Sequence, residues 1–79
     1  MTEVYATGTM IYHTPNEFVL DFLFGPFHPQ SSPEVRARVV LSPQHMKALL
    51  GTMQTVIDQY ERHHGQIPAP PPMPVQALQ

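Results

Sequence analysis

Between Arg38 and Gly65 a β-forming run, Arg38-Val39-Val40-Leu41, stops at Ser42-Pro43, and an amphipathic helical pattern begins. A serine hydroxyl accepts a backbone N–H left orphaned in a first helical turn, and proline at the next position gives up an N–H that has no partner there anyway. Apolar residues then recur at Met46, Leu49, Leu50, Met53, Ile57 and Tyr60, the spacing of one helical face, and Gly65 can take the positive φ that ends a helix. This predicts a helix of about 22 residues, roughly 33 Å long.

Upstream, Glu3 to His13 alternates: Val4, Ala6, Gly8, Met10 and Tyr12 fall on one side, Tyr5, Thr7, Thr9 and Ile11 on the other. That pattern, rich in β-formers, predicts a strand. His13-Thr14-Pro15-Asn16 supplies turn chemistry. Glu17 to Phe24 alternates again, with Phe18, Leu20, Phe22 and Phe24 on the side expected to face the core. A helix over so short a run, ended by Gly25-Pro26, is the poorer reading. Gly25 to Pro33 holds three prolines and cannot sustain a ladder, so it reads as a loop with Phe27 tucked against protein. Glu34 to Leu41 is the third strand. Antiparallel pairing with the second would put Asp21 on the same face as Arg36 and Arg38, a cross-strand ionic match.

The fold class is therefore α+β: a three-stranded antiparallel β-meander, one long C-terminal helix and a proline-rich extended tail. Residues 1–65 form the β-β-β-α domain. Residues 66–79 contain Pro68, Pro70, Pro71, Pro72 and Pro74 and carry no charge, so they read as polyproline II or disordered unless docked on a partner.

At His13-Thr14-Pro15-Asn16-Glu17-Phe18-Val19-Leu20-Asp21-Phe22, at Ala37-Arg38-Val39-Val40-Leu41-Ser42-Pro43-Gln44-His45, and at Tyr60-Glu61 before Gly65, the chain resembles a bacterial family of short proteins of unknown function. The resemblance covers about residues 3 to 67. It implies the β-β-β-α order and its boundaries and brings no activity with it. The bland stretch Gly51, Thr52, Met53 and Thr55 and the proline-rich tail depart from the pattern, and both departures point to contact with something else.

Chemistry is sparse. Acid–base catalysis needs paired carboxylates or a nucleophile oriented by a base, and here the acids stand singly, so no catalytic residue is assigned. Asp21 reads as half of a structural ion pair. The five histidines, His13, His28, His45, His63 and His64, lack a ligand spacing, and neither a metal nor another cofactor is expected. His63 and His64 suit the negative end of a helix dipole. Gly8 inside a strand suggests a bulge or close packing.

Composition bears on partners. A chain of 79 residues buries only about 60% of its unfolded surface, and without cysteine no disulfide reinforces it. Thirteen per cent charged residues and a net charge of −2 argue against a nucleic acid backbone as the main partner. A curved sheet followed by a helix, dimerised, would still suit single-stranded nucleic acid, with Tyr5 and Phe27 as stacking platforms; this is the alternative reading. The start of the chain shows neither a basic segment nor an apolar core of a leader, so a cytoplasmic, non-membrane protein is expected.

The preferred reading is a non-catalytic, homo-oligomerising interaction or scaffold subunit, a dimer or larger, with a further protein partner. With the helix covering one sheet face, Tyr5, Ile11, Val19, Leu23 and Val40 are expected to lie on the other as contact surface. Ile67, Met73, Val75 and Leu78 are expected to dock the tail through their side chains on a neighbouring subunit or partner.

Overall fold

The computed structural model describes residues 1–69 and 77–78. Three antiparallel strands, β1 (Gly8–His13), β2 (Phe18–Phe24) and β3 (Glu34–Leu41), precede one helix, α1 (Pro43–His64), and a two-residue strand, β4 (Ala77–Leu78), follows. The meander-plus-helix architecture is as the sequence predicts. The sheet order is β3-β2-β1-β4, with β4 parallel to β1.

β1 starts later than the alternation of Glu3 to His13 predicts. Thr7 still donates its N–H to the Leu23 carbonyl at 2.7 Å, and its hydroxyl accepts the Gly25 N–H at 3.0 Å. Beyond that point β2 has ended: Gly25 takes φ +84° and Pro26 has no N–H to offer. Residues 1–6 therefore have no ladder on that side to join.

The β1–β2 turn sets the register. Thr14 donates its N–H to the Glu17 carbonyl at 2.9 Å, and its hydroxyl accepts from Asn16 and Glu17, both at 3.2 Å. This short closure pairs His13 with Phe18, and so Ile11 with Leu20, Met10 with Asp21 and Tyr12 with Val19. Paired residues share a face. Ile11 thus stands on the phenylalanine side of the sheet with Leu20 and Phe22. The expected grouping of Ile11 with Val19, Leu23 and Val40 is corrected: Met10 and Tyr12 occupy that face from β1, and Tyr5 lies outside any strand.

A β-bulge between Phe22 and Leu23 makes the second correction. Phe22 pairs with Ala37 and Leu23 with Val35, which leaves Arg36 as the extra residue. Arg36 leaves the face of Asp21; its guanidinium lies 4.4 Å from the centre of the Phe24 ring, and its Nε is 3.4 Å from Glu34 Oε1. The bulge thus falls on β3. Among the described residues nothing lies within 4 Å of where a Gly8 Cβ would sit, and the β1–β2 register is unbroken there, so neither close packing among them nor a bulge in that ladder explains it.

The core centres on β2, which lies between β3 and β1. Val19, Leu20 and Leu23 are buried, and so is Asp21. The helix is built as its sequence dictates: Ser42 Oγ accepts the His45 N–H at 3.1 Å, Pro43 is the first helical residue, and Arg62, His63 and His64 fill the last turn. At the other end Gly65 has φ 89° and ψ 168°, a positive-φ conformation open essentially to glycine, and turns the chain so that the Ile67 N–H meets Glu61 Oε2 at 2.9 Å. None of the helix residues is buried.

Candidate functional site

The first half of α1 faces the phenylalanine side of the sheet without closing on it. Thr9, Ile11, Leu20 and Phe22 from the sheet and Met46, Leu49, Leu50 and Met53 from the helix enclose a groove of about 270 Å³, with Thr9 the one polar side chain among the described residues of its wall. Met46 and Leu49 are half-buried there, whereas Leu50 is 67% exposed. The apolar stripe continues along the helix as Met53, Val56, Ile57 and Tyr60, all exposed. Burial of such side chains stabilises by roughly 1.5–3 kcal/mol each, a contribution the isolated chain does not collect along most of α1.

Behind the groove, Asp21 is held in an ionic network. Arg38 donates to it twice, at 2.7 and 3.0 Å, and the Tyr12 hydroxyl donates at 3.3 Å. The Arg38 hydrogen bond holds the Asp21 carboxyl below the usual carboxylate range against the opposing pull of burial, aided by the guanidinium charge and Tyr12. The same pairing raises the Arg38 guanidinium. With both carboxylate oxygens occupied by donors, the network is built to hold β1, β2 and β3 together. Arg36, expected beside Arg38, takes no part.

At the far end of the sheet, Phe27 packs edge-on against Phe24 with ring centres 4.9 Å apart, so the loop phenylalanine does rest on protein while staying largely exposed. Glu34 and Arg36 border the same shallow depression. Among the described residues no group of three potential metal-ligating side chains comes together. His13 lies against Phe18, His28 is in the loop, His45 is in the first helical turn, and His63 and His64 end the helix.

The sequence-expected contact residues scatter. Val19 and Leu23 are buried on the central strand, flanked in register by Tyr12 and Val40 and by Gly8 and Val35, so they offer little surface. Val40 is exposed on the sheet's other face, Tyr5 is exposed ahead of β1, and Ile11 lines the groove. Ile67 is exposed with its N–H on Glu61. Leu78 sits in β4 opposite Tyr12, so the end of the tail meets this chain's own sheet through its backbone; Met73 and Val75 lie outside the described residues. The open apolar surface is thus the helix stripe, whose periodicity was visible in the sequence but there marked a core face. Val56 extends it.

A family described as a protein of unknown function matches residues 1–69. The chain belongs to that family, DUF3467. The DUF3467 match takes in the meander, the whole of α1 and the Glu61–Ile67 closure, and it stops where the run of prolines from Pro70 begins. Neither the curated proteins nor the solved structures give a match. No helix among the described residues of this DUF3467 chain is long and apolar enough to cross a membrane.

Proposed function

We propose that this chain is a non-catalytic interaction subunit that self-associates and presents a composite surface to a protein partner. One observation carries the reading: a 22-residue helix bears a continuous apolar stripe and buries none of its residues. For a small domain with a thin core, covering that stripe is the most direct source of additional stability. The exposed Val40 and Tyr5, away from the groove, remain available to a different protein.

The nucleic-acid alternative is weakened by where the arginines lie. Arg38 is engaged by Asp21 and Arg36 by Glu34, so the positive charge that β3 would offer a phosphate backbone is answered within the sheet.

Sedimentation of the 8.9 kDa chain at micromolar concentration tests the proposal, with Leu50→Glu and Val56→Glu alongside. If α1 stays uncovered, these surface changes shift stability by no more than about 0.5 kcal/mol. If the helix face is the seam, both variants dissociate and lose stability together. A folded monomer that tolerates both substitutions defeats the proposal.

A further inference from the structure

We infer that the occupant of the groove and helix stripe is a second copy of this chain, with the two α1 helices packed antiparallel about a twofold axis at Met53. This rests on the self-association proposed above and adds its partner surface and direction. Along the stripe, Met46, Leu49, Met53, Val56 and Tyr60 step by alternating three and four residues, with Leu50 and Ile57 widening it on one side. That is the seam of a packed helix pair, and Met53 is its midpoint.

Direction follows from charge. At 100° per residue, Lys47, Asp58 and Glu61 fall along the flank next to Leu50 and Ile57, while the opposite flank carries His45, Thr52 and Gln59. A parallel pair would set each charged flank against the other copy's uncharged one. An antiparallel pair sets the charged flanks against each other. With a rise of about 1.5 Å per residue, Lys47 lies about 9 Å from the axis level; the other copy's Asp58 and Glu61 fall at about 7.5 and 12 Å on the same side, so Lys47 stands between two carboxylates. The same operation carries the second copy's Ile57 and Tyr60 over the first copy's Met46, Leu49 and Leu50, the helical wall of the groove. Each groove is then filled by the far half of the other helix, a self-complementary arrangement that closes at two chains.

The chain has no cysteine, so single substitutions give single thiols on the full-length protein. Met53→Cys is expected to form a disulfide-linked dimer on mild oxidation, because its two copies meet at the axis. Met46→Cys and Tyr60→Cys are expected to stay unlinked alone and to link when the two variants are mixed. Lys47→Glu should raise the dimer dissociation constant about fivefold, and Asp58→Lys in the same chain should recover it. Sedimentation of the same samples separates self-association from helix direction. An assembled protein in which Met46→Cys and Tyr60→Cys each link alone, or Met53→Cys fails to link, overturns the antiparallel pair and leaves self-association standing. A monomer overturns both.

Discussion

Arg38 on β3 and Asp21 on β2 are direct register partners, and their side chains make two hydrogen bonds, Nε to Oδ1 at 2.7 Å and Nη2 to Oδ2 at 3.0 Å. The carboxylate is 3% exposed and the guanidinium side chain 58%, so the pair reaches from the interior to the surface. Such a pair fixes alignment, because a one-residue slip of β3 would send Arg38 to the opposite face and leave a buried carboxylate without its donor.

The first expectation concerns pH. The Asp21 carboxyl titrates below its unfolded value because the charged form is hydrogen-bonded. Its contribution is therefore fully present above the unfolded carboxylate range near pH 4 and is lost as pH falls through that range toward the lower folded value. Urea midpoints measured from pH 7 downward should drop for the native chain, and Asp21→Asn should start lower and flatten this part of the profile. An unchanged slope in Asp21→Asn would assign the acid sensitivity elsewhere.

Arg38→Ala and Arg36→Ala should then separate sharply. The first strands the buried Asp21 and lowers stability strongly; the second removes an exposed Glu34 contact and a ring contact with Phe24, a loss of about 0.5–1 kcal/mol. Denaturant titration of the two variants reads this directly. Loss of oligonucleotide binding in Arg38→Ala would be uninformative without it.

How far the sequence carried the structure depends on how local the deciding chemistry is. Ser42, Pro43 and Gly65 act on their own backbone, and the helix they bound matches its predicted span. Faces were harder. Alternation says which residues of a strand go together, but only the Thr14 closure says which set of β1 meets which set of β2. The Arg36 bulge depends on two strands fitting each other and leaves no mark in β3 alone. The candidate site was half legible for a related reason: the periodicity of Met46 to Tyr60 announces an apolar face, and nothing in the pattern says whether the chain's own sheet covers it.

Helix boundaries supply the next test. Ser42→Ala removes the acceptor for the His45 N–H and should cost about 1 kcal/mol. Gly65→Ala forces a side chain into a positive-φ conformation and should cost about 1–3 kcal/mol or unwind the last turn. Thermal melts of both variants compare the ends. In Gly65→Ala the Ile67 amide should also exchange faster, because its position opposite Glu61 depends on that turn.

The core should report itself through Leu20, which is buried on β2 and also lines the groove. Leu20→Ala is expected to lose about 2–5 kcal/mol by equilibrium denaturation, toward the lower end because the groove already leaves one side of Leu20 under-filled and the loosely held helix can move in. A loss below about 1 kcal/mol would mean that α1 closes over the vacancy.

The tail is tested by backbone chemistry. Residues 77–78 lie parallel to β1, with Ala77 opposite Ile11 and Leu78 opposite Tyr12, whereas the five prolines of the tail suggest docking by side chains on a neighbouring chain. If ladder hydrogen bonds hold it, proline at position 78 removes a donor and fixes φ, whereas alanine there preserves the backbone. Leu78→Pro should behave like a chain ended after residue 69: α1 and the meander persist, because the Glu61–Ile67 closure is retained, while β1 amides lose protection and its bared edge promotes association through strand pairing. Leu78→Ala should stay close to the native chain. Equal effects of proline and alanine, or a β1 edge whose exchange ignores both, would return the tail to side-chain docking and remove β4 from the account.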